Sequence, residues 1–160
     1  MGALCYAAID PKLRKRIPTV YTGELHEFHE NRHGRLRWRT LDFEFDTIAI
    51  GDAQRCAVMN YADLDVEPTR VHEIKLLHPE KTNNTDSGKV IAKEFSRAAG
   101  EFDEPYYPIN TLENREKLAK YRLDSRKHGN YIFGGCQGSY LYLDMHQAIA
   151  SALSTFENEV

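Results

Sequence analysis

The sequence predicts an α+β protein, an antiparallel sheet followed by a helix–strand–helix tail. Three observations predict it. Arg37 to Phe45 alternates, with Leu41, Phe43 and Phe45 on one side and Asp42 and Glu44 on the other, which is the period of a strand with two unlike faces. Further strand-like runs follow, joined by short polar turns, the pattern of antiparallel strands. After them come a polar helical stretch, a short apolar run, a glycine-rich turn and an amphipathic helix.

In chain order, Thr19 to Thr22 reads as a short strand closed by Gly23. Leu25 to His33 has helical character and stops at Gly34. Arg37 to Phe45 is the first long strand, and Arg55 to Tyr61 follows a Gly51-Asp52 turn. Thr69 to Leu76 alternates His72, Ile74 and Leu76 against Val71, Glu73 and Lys75. Val90 to Arg97 follows the Lys81 to Gly88 loop, which is rich in Asn, Thr, Asp, Ser and Gly. Asp103 to Pro108 is an extended linker, because each proline restricts the residue before it. Asn110 is placed to cap a helix from about Thr111 to Lys127, which Gly129 ends. Tyr131 to Phe133 reads as a strand. The last helix starts near Asp144 and carries Met145, Ala148, Ile149, Ala152 and Phe156 on one face. The chain divides into an unassigned segment 1–18, a mainly antiparallel sheet domain 19–110, and a helix–strand–helix tail 111–160.

The turn from Gly134 to Asp144 is the place where a phosphate-bearing molecule would dock. Glycines permit close backbone approach, and N–H groups at a helix start attract anions. It is not a dinucleotide fingerprint, since G-x-G-x-x-G needs glycine where Cys136 stands.

The 160 residues suffice for one sizeable core, and 41% hydrophobic with 28% charged residues is ordinary for a globular protein. A net charge of -3 gives no global pull toward nucleic acid or an anionic membrane. The basic run Lys12 to Arg16 reads as a solvated segment. No apolar run approaches a membrane span, and the N-terminal stretch does not read as a signal peptide. Cys5, Cys56 and Cys136 are odd in number and far apart, which suits a reducing cytoplasm. The Asn83-Asn84-Thr85 sequon is empty without secretion.

His29-Glu30-Asn31-Arg32-His33 matches H-E-x-x-H, which on a helix would aim two histidines at one zinc with the glutamate as general base. That makes a zinc hydrolase a remote alternative. No third ligand is marked, Gly34 ends the helix directly after His33, and the flanks are polar. A His-rich surface helix is the plainer reading, and no metal site is expected.

Seven segments together resemble one family, UDP-galactopyranose mutase, the flavoenzyme that interconverts UDP-galactopyranose and UDP-galactofuranose. They are Tyr21-Thr22-Gly23, Arg37 to Glu44, Ala57 to Tyr61, Thr69-Arg70, Phe95-Ser96-Arg97, Asp103 to Pro108, and Ile132 to Ile149. Their order and spacing are family-like, and they cover nearly everything after Val20. The resemblance implies a fold with an N-terminal FAD-binding domain, a helical domain and an antiparallel sheet between them. This chain looks like the C-terminal part: the sheet, then the strand and helix that return to the FAD domain. The mechanism implied needs reduced flavin, which attacks the anomeric carbon and displaces UDP, and the sugar ring opens and recloses as a furanose. The protein's tasks are to align flavin with sugar and to stabilise the departing diphosphate.

Residue by residue, Arg70 matches an arginine that contacts the substrate diphosphate, a role that suits a planar guanidinium. From the residues alone it would be a sheet-surface arginine paired with Glu73 or Asp65. Tyr107 and Tyr142 match tyrosines that hydrogen-bond the diphosphate; otherwise they read as half-buried packing residues with a wet tip. Asp144 matches an acidic residue beside that site, or else is a helix N-terminal charge. Arg39 matches an arginine near the flavin, and Gly134, Gly135 and Gly138 match the flavin-contacting turn. The chain departs from the family at Cys136-Gln137, where the family has Arg-Leu, and at Glu24, His26 and the His29-Glu30-Asn31 stretch.

The resemblance thus implies part of a flavin-dependent mutase, with UDP-galactopyranose and UDP-galactofuranose as ligands, FAD as cofactor, and inactivity without the FAD domain. The alternative is a non-catalytic remnant or split-enzyme subunit that binds UDP-sugar or a separate chain carrying the FAD domain. Tyr131 to Phe133 and the final helix, without the parallel sheet they would join, predict self-association through an unpaired strand.

Overall fold

The computed structural model describes residues 12, 18–49, 54–77, 80 and 88–159. Cys5, the basic run after Lys12, the Gly51-Asp52 turn and the Asn83-Asn84-Thr85 sequon lie outside the described residues. The elements in chain order are β1 (Thr19–Tyr21), α1 (Leu25–Phe28), β2 (Trp38–Ile48), β3 (Val58–Asn60), β4 (Arg70–Glu73), α2 (Ile74–Leu77), β5 (Lys89–Ala98), β6 (Tyr107–Pro108), α3 (Leu112–Ser125), β7 (Tyr131–Phe133), α4 (Gly135–Ser139) and α5 (Met145–Glu159). The chain is α+β and forms two compact units. One holds the described residues through Trp38 together with those from Tyr107 onward, and the other is Arg39–Tyr106. The strand and helix before Arg39 therefore group with the C-terminal tail.

In the first unit β1 and β7 pair in parallel, with Thr19 opposite Tyr131 and Tyr21 opposite Phe133. The expectation of an unpaired Tyr131–Phe133 strand is thus corrected: its partner comes from the far end of the chain. Thr19 N donates to Asn130 O at 2.8 Å and Gly134 N to Tyr21 O at 3.1 Å, so the pairing is closed at both ends. Phe28 fills the space beside it, meeting Tyr21, Tyr131 and Phe133 edge-on at 5.0, 5.1 and 4.8 Å between centroids, a favoured aromatic geometry.

The helix expected over Leu25 to His33 is only four residues long. It ends in a Schellman motif: Asn31 N donates to His26 O at 2.9 Å and Glu30 N to Glu27 O at 2.9 Å. Glu30 and Asn31 both take left-handed backbone, at φ 53 and 56. Asparagine tolerates that region and glutamate rarely enters it, so the sequence carried no stop signal before Gly34.

The cap of α3 is Thr111 rather than Asn110: Thr111 has extended backbone, and its side chain accepts from Asn114 N at 3.3 Å. The helix ends at Ser125 with Arg126 as its cap, two residues before the expected Lys127. Asn114, Leu118 and Tyr121 are buried at helical spacing. Asn114 Nδ2 donates to Ile109 O at 2.8 Å. The Tyr121 hydroxyl donates to Gly34 O at 2.9 Å and accepts from His33 N at 3.1 Å. Two buried polar side chains thus satisfy the irregular backbone around them.

In the second unit the strands lie in the order β3-β4-β5-β2, all antiparallel. β2 pairs with β5 over ten residues, from Arg39 opposite Ala98 to Ile48 opposite Lys89. Arg97 clasps the end of this pair by donating to Asp42 and Asp103, and with Gly100 N it holds the Asp103 carboxyl down to about 2. The strand expected over Thr69 to Leu76 stops at Glu73, whose buried carboxylate meets Lys89 Nζ at 2.8 Å. Ile74–Leu77 turns helical instead, as the strong helix formers Lys75, Leu76 and Leu77 favour. The expected alternation of β2 leaves Phe43 and Phe45 on the open side of the sheet, stacked 6.4 Å apart and exposed.

The final helix begins at Met145, as expected from Asp144, but its apolar stripe is uncovered. Met145 is 85% exposed, and Ile149, Leu153 and Phe156 are exposed in turn.

Candidate functional site

Tyr107 and Tyr142 come together. Their ring centroids lie 5.5 Å apart at 44°. Tyr107 sits on β6, which the Ile109 N to Arg37 O bond (2.9 Å) ties beside the start of β2. Tyr142 sits on the extended stretch between α4 and α5. That stretch is aimed by Tyr140, which takes left-handed backbone at φ 51 to end α4. The Tyr140 ring packs edge-on to Trp38 at 4.9 Å, and its hydroxyl lies 2.6 Å from Arg37 O and 3.0 Å from Ile109 O. Burial pushes that phenol up to about 12, so it stays a donor. Tyr140 therefore fixes both segments that carry the tyrosine pair. Sequence reasoning missed it; its place two residues before Tyr142 was the available signal.

Asp144 is exposed at the N-terminus of α5, where its N–H donates to Gln147 Oε1 at 2.9 Å and its carbonyl accepts from Ala148 N at 2.9 Å. The Gln147 contact is half of a capping box. The Asp144 carboxylate has no hydrogen-bond or ion-pair partner among the described residues.

The three glycines serve different ends. A Cβ on Gly138 would lie 2.7 Å from Tyr21 O, so Gly138 lets α4 press against β1. Gly135 has φ 71, a backbone state that favours glycine. A Cβ on Gly134 would meet nothing within 4 Å. Gly134 is thus the position of the three that faces open space. Cys136 turns its Sγ to Leu143 O at 3.7 Å, within its own unit.

Arg70 and Arg39 belong to the other unit. The register places Asn60 and Glu94 on either side of Arg70, on β3 and β5. Arg70 Nε donates to Asn60 Oδ1 at 2.7 Å, and Nη1 lies 3.7 Å from Glu94 Oε2. Glu94, not Glu73 or Asp65, is its acidic neighbour; Glu73 alternates to the opposite face. Arg39 donates from Nε to Ser96 Oγ at 2.8 Å and from Nη2 to Ser96 O at 2.7 Å, and remains exposed.

The H-E-x-x-H reading is overturned. Glu30 is the left-handed residue after α1, so the motif does not lie on a helix. His29 Nε2 lies 2.9 Å from Ser125 Oγ and His33 Nε2 lies 2.8 Å from Asp124 Oδ2. The surface-helix alternative fails as well, because His26 and His29 are buried. Burial holds His26 down to about 4 and lowers His29 too. No group of three His, Cys, Asp or Glu able to hold a metal ion occurs among the described residues. None of the described helices is long and apolar enough to cross a membrane.

Residues 5–142 match the family model for UDP-galactopyranose mutase. The chain belongs to the UDP-galactopyranose mutase family.

Among similar proteins, a Klebsiella pneumoniae protein named "Probable UDP-galactopyranose mutase" is 46% identical over 135 residues, which are 84% of this chain and 34% of that protein. An Escherichia coli dTDP-fucopyranose mutase is 37% identical over 83% of this chain and 34% of its own length. A Mycoplasma pneumoniae UDP-galactopyranose mutase is 33% identical over 88% and 35%. The chain therefore spans about a third of the length of the mutases it matches. The family match takes in both tyrosines, the three glycines, Arg39 and Arg70, and stops two residues before Asp144.

Proposed function

We propose that these residues form the sugar-diphosphate side of a flavin-dependent UDP-galactopyranose mutase, which interconverts UDP-galactopyranose and UDP-galactofuranose. The observation that carries the reading is the tyrosine pair, Tyr107 with Tyr142 at 5.5 Å, built by a dedicated Tyr140 anchor. Paired phenols suit a diphosphate, because their hydroxyls donate to oxygens that gain charge as UDP departs. Asp144 takes the part of an acidic neighbour within the same unit, and Arg70, in the other unit, takes the part of the family's diphosphate-contacting arginine. Gly134 and Gly135, with Gly138 holding α4 in place, form the backbone that would meet FAD, and Arg39 takes the part of the family's flavin-side arginine. Reduced flavin, when bound, supplies the electron-rich nucleophile; the chain's own residues orient the sugar nucleotide and bind its phosphates.

The FAD-binding portion is supplied by sequence beyond these residues or by a separate chain. The uncovered apolar stripe of α5 and the β1–β7 sheet, two-stranded among the described residues, support that reading, since a larger parallel sheet would cover the first and extend the second at its edges. A second reading, a non-catalytic UDP-sugar binder, is favoured by Cys136, whose thiol replaces the cation that the family keeps there.

The test is to mix the purified chain with FAD, follow the flavin spectrum through gel filtration, and assay conversion of UDP-galactofuranose under dithionite. The chain alone retains no FAD and turns nothing over. Adding the part of the Klebsiella pneumoniae relative that lies outside the matched region restores turnover. Robust turnover by the chain alone overturns the proposal.

A further inference from the structure

Arg70 is held by neighbours that strand register, not sequence proximity, brings to it. Asn60 and Glu94 face Arg70 across β3–β4 and β4–β5, so all three project from one face of the sheet. The Asn60 Oδ1 contact to Nε is 2.7 Å, and Glu94 Oε2 is shared between Arg70 Nη1 at 3.7 Å and His72 Nε2 at 3.3 Å. Nη2 has no partner among the described residues, and the Arg70 side chain is 39% exposed. A guanidinium is planar, so fixing Nε fixes the direction of the whole fork.

We propose that Asn60 is a positioning residue that holds the Arg70 guanidinium so that its Nη2 edge is presented to an anionic phosphate oxygen. This rests on the reading of Arg70 as a diphosphate contact. A neutral acceptor is the suitable partner. Glu94 already offsets the Arg70 charge, and a second carboxylate at position 60 would leave the face unattractive to an anion. Asn60 satisfies Nε–H without adding charge, so the orienting contact does not compete with the ligand.

The full 160-residue chain serves for the test, with UDP as the probe. Two quantities are read: water exchange of the Arg70 Nε–H by nitrogen-15 NMR, and UDP affinity by titration. In the unaltered chain the Nε–H is protected. Asn60→Ala speeds its exchange at least about tenfold and weakens UDP about five- to tenfold, the loss of one charge-assisted hydrogen bond. Asn60→Asp keeps the Nε–H protected yet still weakens UDP, which separates position from charge and shows that the sheet remains folded. In an Arg70→Lys background, which has no Nε–H, Asn60→Ala changes UDP affinity by less than about twofold. Unchanged Nε–H protection in Asn60→Ala overturns the proposal, and so does an equal UDP loss in both backgrounds. If no form binds UDP while Asn60→Ala still frees the Nε–H, the contact stands and the diphosphate reading of Arg70 falls.

Discussion

The Tyr140 hydroxyl reaches Arg37 O at 2.6 Å and Ile109 O at 3.0 Å, bridging the two segments that lead to β2 and away from β6. One buried phenol thereby sets where Tyr107 and Tyr142 stand. Tyr140→Phe removes that shared donor, while Arg37 O keeps Ile109 N and Ile109 O keeps Asn114 Nδ2. We expect it to destabilise the first unit by about 0.5–1.5 kcal/mol, one net hydrogen bond, and to weaken UDP binding through the displaced tyrosine pair. Urea denaturation and UDP titration of the same preparation check both. Full UDP affinity in a destabilised Tyr140→Phe would separate Tyr140 from the site.

Tyr107→Phe and Tyr142→Phe each remove one hydroxyl and keep the ring contact. Each is expected to weaken UDP about five- to tenfold, with little loss of stability, as one hydrogen bond to a charged group implies. Because the rings touch, the double variant should lose less than the product of the two single losses. Strict additivity in the titrations would argue that the hydroxyls act at separate places.

Gly138 tests the glycine turn. With Tyr21 O only 2.7 Å from where a Cβ would go, Gly138→Ala must push α4 away from β1. The expected loss is about 1–3 kcal/mol, measured by thermal or urea unfolding. Gly134→Ala, with nothing within 4 Å, should leave stability unchanged.

His26 gives the pH prediction. Its folded value, held at about 4 by burial and then by Arg35, lies below the ordinary 6.5. The unfolded chain therefore binds the extra proton first, and stability present above pH 6.5 is lost as pH falls toward 4. The effect is of order 2 kcal/mol for this buried ring, and His29, lowered the same way, adds to it. Glu24, 3.4 Å from His26 Nε2 and raised by its own burial, works in the opposite direction. Unfolding free energies between pH 7 and 4 should fall for the unaltered chain and fall less for His26→Leu. Parallel profiles would assign the acid sensitivity elsewhere.

Much of the fold was legible because it is local. Alternation marked β2 and β4, the polar loop before Val90 marked β5, and the β7–turn–α5 succession was readable from Phe133, Gly134 and the stripe beginning at Met145. Non-local geometry was not. β1 finds β7 across almost the whole chain, and no pattern in Thr19 to Tyr21 names Tyr131 to Phe133 as its partner. The end of α1 was hidden because Glu30, a residue that seldom adopts left-handed backbone, does so there. Of the candidate site, the resemblance supplied Arg70, Tyr107 and Tyr142, while their supports, Asn60, Glu94 and Tyr140, emerge only from strand register and tertiary packing. His26 and His29 looked polar in sequence and are buried; Phe28, Tyr121 and Phe133 close around His29.

The most direct measurement of the central claim is a titration of UDP against the unaltered chain and Arg70→Ala, followed by chemical-shift changes. Saturable shifts are predicted for the unaltered chain, involving Tyr107 and Tyr142, with at least about tenfold weaker binding in Arg70→Ala, as loss of a charge-assisted contact to phosphate implies. Equal, flat responses from the two proteins would contradict the account.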